Sequence, residues 1–377
     1  MRIGVPRERF ARERRVALVP AHVHSLTGAG LDVIVERGAG LASGHTDSEY
    51  EAKGASIVED ARATADVVLT VRSGAAAGSA DPGPARDGQA IIGFLEPYES
   101  HPIFDTYRKK KATAFSMELM PRITRAQSMD ALSSMANLAG YRAAILAAEA
   151  LPRMFPMMMT AAGTIVPAKA FVVGVGVAGL QAIATARRLG ALVSAYDVRP
   201  AVREQVESLG AKFVEMGLDS AEGSGGYAKA MDEEFYRRQR ELMGDVVAAS
   251  DLVITTAAVP GKRSPMLITE PMVARMQPGS VIVDLATERG GNCELSKSDE
   301  RVEKYGVTIL GPTNVASALA NTASQLYSRN ITTFLLAMVK DGDLVVDTND
   351  EIVAATLVTR DGDLPNPEIR ARLGGHA

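Results

Sequence analysis

Residues 171–197, FVVGVGVAGLQAIATARRLGALVSAYD, read as a strand, a glycine turn, a helix and a second strand that ends in an acid. No other segment constrains the fold as much. Gly174 permits the turn, Gly176 lets an anionic group approach bare backbone, and Gly179 lets helix and strand pack closely. This is the GxGxxG spacing of a dinucleotide-binding βαβ unit. The helix that starts at Val177 and Ala178 would turn its free N–H groups and its positive end toward phosphates, with no basic side chain required. Asp197, about 20 residues beyond the glycines, sits where a carboxylate accepts from both hydroxyls of an adenosine ribose, with Val198 beside it. That favours NAD over NADP. Arg199 points the other way, because an arginine here can receive a 2′-phosphate. A ligand-free strand-turn-helix would not need Asp197.

A chain of 377 residues, 46% hydrophobic and 23% charged, is long enough for two domains with real cores. A net charge of −4 gives no reason to expect affinity for nucleic acid or anionic membrane. Cys293 is the sole cysteine, so an internal disulfide is excluded and no CxxC or His/Cys cluster suggests a metal, which fits a reducing, cytoplasmic setting. The start, MRIGVPRERFARERR, has no apolar stretch after its basic residues and does not read as a secretory signal. The most apolar stretch, 154–186, is long enough to cross a bilayer, but Pro156, Pro167, Lys169 and four glycines interrupt it. A buried linker followed by core is the expectation.

Short apolar runs alternate with helical segments over residues 3–94: 3–6, 33–35, 67–71 and 91–94 are strand-like, with helices near 21–29 and 47–53. Alternation of this kind implies a parallel sheet with helical crossovers. A longer helical region, about 128–151, carries the chain out of this first domain. After the βαβ unit the pattern resumes with strands at 212–215, 252–256, 281–284 and 307–310. The fold class expected is α/β, with two Rossmann-like doubly wound parallel-sheet domains. The tail begins as a helix and should return to the first domain. This gives a discontinuous N-terminal domain, 1–131 and 323–377, around a nucleotide-binding domain, 132–322.

The switch-point rule puts a dinucleotide across the carboxyl ends of the second domain's strands, in a cleft facing the first. Candidate segments there are 256–262, 284–292 and 311–314. Asn314 either binds a nicotinamide carboxamide or is present for its backbone geometry. Segment 117–133, MELMPRITRAQSMDALS, clusters Arg122, Arg125, Gln127 and Asp130 ahead of a helix, with Ser128 or Asp130 able to cap it. The histidines, His22, His24, His45, His101 and His376, fall outside every candidate segment. Oxidising an alcohol or amine requires a proton acceptor beside the hydride donor. Hydride exchange between two nicotinamides moves no proton and needs only aligned rings and excluded water.

Several long blocks, among them PRITRAQSMDALSSMANLAGYRA, FPMMMTAAGT, VVGVGVAGLQAIATARRLGA, DVRPAVREQVESLGAKF, SVIVDLATERGGNC and EIVAATLVTRDG, closely resemble the NAD(H)-binding component of proton-translocating NAD(P) transhydrogenases. The resemblance covers nearly the whole chain and is most like the form in which this component is a separate subunit. It implies a homodimer at the cytoplasmic, inner face of the cell membrane. The partners it implies are an NADP(H)-binding beta subunit and a membrane-spanning subunit, with hydride transfer coupled to proton movement. It also assigns roles. Gln127 would bridge the two nucleotides, and Arg122 and Asp130 would fix the nicotinamide of NAD(H). Ser128, Met129, Ser133 and Tyr141 would support that site, while Gly226 and Tyr227 would lie on a loop, 217–231, that closes over the nucleotide. Gln239 and Ala258 fall at nucleotide-contacting positions. The segments 74–83 and 96–107 depart from the family pattern.

Two other readings compete. Alanine dehydrogenase resembles the same blocks, with Arg15 at its substrate arginine, but its catalytic histidine falls at Glu96 and its lysine near Arg72. A non-catalytic NAD-binding regulator would need neither an NADP partner nor a membrane subunit.

Overall fold

The computed structural model describes residues 1–73, 83–98, 102–217, 231–259 and 261–373. It resolves into two compact units, Met1–Met135 with Ala316–Ala377, and Ala136–Val315. The boundary on the N-terminal side falls inside one helix, Ala131–Ala150, which continues from the first unit into the second. On the C-terminal side the chain leaves the second unit at Val315, ahead of helix Ala320–Ala337, which belongs entirely to the first.

The first unit is built on a seven-stranded sheet. From one edge its strands are Leu357–Thr359, Thr113–Ser116, Ala90–Phe94, Val67–Arg72, Arg2–Val5, Asp32–Glu36 and Ser56–Val58. All neighbours run parallel except Leu357–Thr359, which pairs antiparallel with Thr113–Ser116. Ala90–Phe94 is buried at every position and Val67–Arg72 at all but its last, as expected where helices cover both faces of a parallel sheet. The C-terminal segment therefore supplies the last strand of a sheet that the N-terminus began.

The second unit has the same logic. Its seven strands run Lys212–Phe213, Leu192–Tyr196, Lys169–Val173, Leu252–Thr255, Val281–Asp284, Val307–Leu310 and Arg301–Lys304. Only the last pair is antiparallel. Counted from Lys169–Val173 the order is 3-2-1-4-5-7-6, of which the first five strands follow the order of a doubly wound dinucleotide-binding sheet, with its switch point between Lys169–Val173 and Leu252–Thr255. Ala143, Ala144 and Ala147 of the long helix pack with Val172, Ile183 and Ile254 in one core.

The stretch before the first strand of this unit corrects one expectation. Residues 157–166 are no buried linker but an exposed antiparallel hairpin, Met158–Thr160 against Gly163–Ile165. Met157, Met159 and Val166 are 62%, 78% and 65% exposed. Apolar composition alone could not distinguish core from a surface ribbon that nothing in its own unit covers. Among the described residues, no helix is long and apolar enough to cross a membrane.

Candidate functional site

In the second unit the glycine turn leaves strand Lys169–Val173 and enters helix Val177–Arg188. Each glycine meets a different surrounding. Gly174 has φ +91°, which an L side chain rarely adopts. A Cβ on Gly179 would lie 2.0 Å from the carbonyl oxygen of Gly174, so helix and turn touch through bare backbone. Gly176 is exposed and a Cβ there would meet nothing within 4 Å. The turn therefore presents open space at Gly176, next to the free amides of Val177 and Ala178 at a helix N-terminus, which is a cradle for an anion. From the other side Gly140 of the long helix packs against Ala178, where a Cβ would lie 2.0 Å from the Ala178 oxygen.

Asp197 stands at the end of Leu192–Tyr196 and is tied back to the turn. Its carboxylate accepts from the Val175 amide at 2.7 Å, from the Arg199 amide at 2.9 Å, and from Arg199 Nε and Nη2 at 2.8 Å each. These donors fill the roughly four lone-pair positions of a carboxylate. A ribose hydroxyl can therefore bond to Asp197 only as the guanidinium gives way. Arg199 in turn is committed to its carboxylate neighbour, with Nη2 also 3.2 Å from the Val175 oxygen. Val198 is half-buried between them.

Behind this strand end, Gln239 is 2% exposed and its Nε2 donates to the Tyr196 hydroxyl at 3.1 Å. It braces the strand that carries Asp197 from below and is not itself at the surface. Ala258 is exposed, on the loop that follows Leu252–Thr255. Asn314 has φ +46°, and its amide donates to Glu288 at 2.6 Å, so a backbone reason for asparagine is present at that position. Gly226, Tyr227 and the rest of 218–230 lie outside the described residues, as do 74–82, His101 and His376.

In the first unit the segment expected to be reactive is a 3-10 turn, Thr124–Met129. Arg122, Gln127 and Ser128 are exposed and Met129 is buried. Asp130, not Ser128, caps the long helix. Its Oδ1 accepts from the Ser133 amide at 2.9 Å and its Oδ2 from the Ser133 hydroxyl at 2.6 Å. The turn is anchored twice more. Arg125 makes a forked pair with Asp350 at 2.6 and 2.8 Å, and Asn330 Nδ2 donates to the Ser128 oxygen at 2.8 Å. Gln127 thus sits exposed on a stiffened loop. Tyr141, on the part of the helix that belongs to the second unit, is 41% exposed.

The N-terminal domain of the alanine dehydrogenase/PNT family matches residues 4–139 and its C-terminal domain matches 143–367. The chain is 50% identical to the first part of the NAD(P) transhydrogenase alpha subunit of Rhodospirillum rubrum, over 98% of this chain and 99% of that one. The chain belongs to the alanine dehydrogenase/PNT family, on its NAD(P) transhydrogenase alpha-subunit branch. A crystal structure of transhydrogenase from Sinorhizobium meliloti superposes with a TM-score of 0.86 at 47% identity, over 97% of this chain and all of that one. L-alanine dehydrogenase superposes nearly as well, with a TM-score of 0.81 at 25% identity over the full length of both. Fold alone therefore does not separate the transhydrogenase branch from the dehydrogenase branch.

Side-chain chemistry does bear on that separation. Glu96, where the resemblance places a dehydrogenase's histidine, and Arg72, near which it places the lysine, form an ion pair with each other and are largely buried. Phe10 lies under the Arg72 guanidinium at 4.0 Å. Glu96 has φ +51°, and its amide is held by Glu118 at 2.8 Å. Arg15 is buried too, with Nε and Nη2 on the Glu13 carboxylate at 2.7 and 2.6 Å. The sequence pointed to the glycines, to Asp197 and to the 122–130 segment. It carried no sign of the Gln239–Tyr196 brace, because a buried glutamine has no local signature.

Proposed function

We propose that this chain is the NAD(H)-binding component of a proton-translocating transhydrogenase, passing hydride directly between NADH and NADP+ held by a beta subunit. The observation that carries the reading is the open cradle at Gly176 beside Asp197, found in a chain whose positions for a dehydrogenase acid and base are taken up by the Arg72–Glu96 pair. NAD(H) fits this cradle. The amides of Val177 and Ala178 would take the pyrophosphate, and Asp197, with Arg199 displaced, would take the adenosine ribose. Bound there, NAD(H) supplies or accepts the hydride.

The protein's own task is then orientation. Gln127 aligns the two nicotinamides, Arg122 and Asp130 fix the one on NAD(H), and Ser128, Met129, Ser133 and Tyr141 support them. Gly226 and Tyr227 close over the nucleotide, Ala258 and Asn314 contact it, and Gln239 contributes by steadying Tyr196. No residue is needed to take a proton, because none is released in the exchange. Partner subunits supply NADP(H) and the membrane path, and hold the chain, as a homodimer, at the inner face of the membrane.

Calorimetric titration of the purified chain tests the nucleotide assignment. NADH should bind with at least tenfold higher affinity than NADPH, and equal affinity for the two would overturn it. The resemblance to alanine dehydrogenase keeps a second reading in play. Alanine-dependent formation of NADH by the chain alone, at enzymic rates, would favour that reading.

A further inference from the structure

Asp284 ends strand Val281–Asp284 and is fully buried. Its carboxylate accepts from Thr255 Oγ1 at 2.9 Å, from the amides of Ala286, Asn292 and Cys293 at 3.0, 2.8 and 3.0 Å, and from Ser296 Oγ at 2.7 Å. Those bonds fold the 284–296 loop back on its own strand and hold Asn292, itself fully buried, in one place. Its side chain then clamps Ala257 and Pro265 across the loop. Asn292 Oδ1 accepts from the Ala257 amide at 3.0 Å, and Nδ2 donates to the oxygens of Ala257 and Pro265, both at 2.8 Å. Only one orientation of the amide satisfies all three bonds.

Both backbone groups of Ala257 thus end on one side chain, which fixes the peptide planes on either side of it. On its other flank the same loop is tied to the glycine turn. Thr256 Oγ1 donates to the Gly174 oxygen at 2.9 Å and the Thr256 amide to the Val173 oxygen at 2.9 Å. A dinucleotide-binding sheet is two mononucleotide halves meeting at the switch point. The half headed by Lys169–Val173 carries Asp197 and takes the adenosine. Leu252–Thr255 heads the other half, so the loop at 256–258 borders the nicotinamide mononucleotide.

We propose that Asn292 is a positioning residue for the nicotinamide half of NAD(H), acting by holding the 256–258 backbone against the glycine turn. This rests on the NAD(H) reading above. A purely architectural role would affect both halves of the ligand together, whereas a positioning role affects one.

The test is to titrate the full chain with NADH and with 5′-AMP, in wild type and in Asn292→Ala. The expected result is at least a tenfold loss for NADH with 5′-AMP affinity within twofold of wild type. Parallel losses for both ligands, or no loss for either, would overturn the proposal. Should Asn292→Ala fail to fold, Asn292→Ser decides. It keeps a polar group at the buried position but is too short to reach both backbone groups of Ala257, and should weaken NADH at least threefold and leave 5′-AMP within twofold, an equal effect on both counting against the idea. Wild-type chain that ignores NADH would instead overturn the NAD(H) reading itself, which separates the two failures.

Discussion

The three glycines of the turn do different work, and single substitutions should separate them. Gly179→Ala drives a methyl group to 2.0 Å from a backbone oxygen, which must cost ~1–3 kcal/mol or more and lower the melting temperature. Gly176→Ala meets open space, so Tm should stay within about 2 °C while NADH affinity collapses. Thermal denaturation and calorimetry on both variants check this, and a Gly176→Ala protein that binds NADH normally would remove the cradle. Asp197→Asn should weaken NADH by about ten- to a hundredfold, the worth of charge-assisted hydrogen bonds. It should also narrow the preference over NADPH, because Arg199, released from the carboxylate, can meet a 2′-phosphate. Titrating the variant with both nucleotides checks this. The glycines and Asp197 were legible in the sequence because spacing alone encodes the turn. The Arg199 fork on Asp197 was not, since the same arginine could equally have faced the ligand.

At the scale of elements, apolar runs located the central strands, and Val281–Asp284 and Val307–Leu310 lie where those runs placed them. The strands without such a signal are short or lie at the margins of the sheets. Arg301–Lys304 alternates exposed and half-buried residues, and Ser56–Val58 and Leu357–Thr359 have three residues each, so none offers a sustained apolar pattern. Helix Ala131–Ala150 was legible in extent, and its cap, left open between two residues, is Asp130. One tie between elements has a pH signature. Glu8 joins the first loop to the end of Val67–Arg72, accepting from Thr70 Oγ1 at 2.9 Å and from the amides of Val71 and Arg72 at 2.6 and 3.1 Å. Burial, reinforced by the nearby Glu13 charge, pushes its carboxyl up to about 7 despite those donors. A carboxyl raised in the folded state favours folding while it is protonated. Its contribution is therefore complete below the ordinary value near 4.5 and is lost as pH rises through about 7. Urea denaturation should show stability declining from pH 5 to pH 7, and Glu8→Gln should flatten that decline.

For the molecule as a whole, the exposed hairpin is the feature most at odds with a free monomer. Met157, Met158, Met159, Ile165 and Val166 are all well exposed on it. It continues directly from an apolar groove of about 450 Å³ lined by Ala148, residues 151–156 and Leu189. Clustered apolar surface of this kind marks a protein contact, and a ribbon and groove on the same unit suit a second copy of the chain. If wild type sediments as the proposed dimer, Met159→Glu should shift it toward monomer in sedimentation velocity while leaving NADH affinity intact; a monomeric wild type would remove the dimer, and an unshifted dimer would place the interface elsewhere. The proposed function turns on hydride passing from one nicotinamide to another without visiting a proton donor. Incubating the chain with its NADP(H)-binding partner, NADH deuterated at the transferred C4 position and NADP+ in ordinary water tests this most directly. The expected product is NADPH carrying the full label, formed roughly tenfold or more slowly in Gln127→Asn at unchanged NADH affinity. NADPH that has lost its label to solvent, or none formed at all, would contradict it.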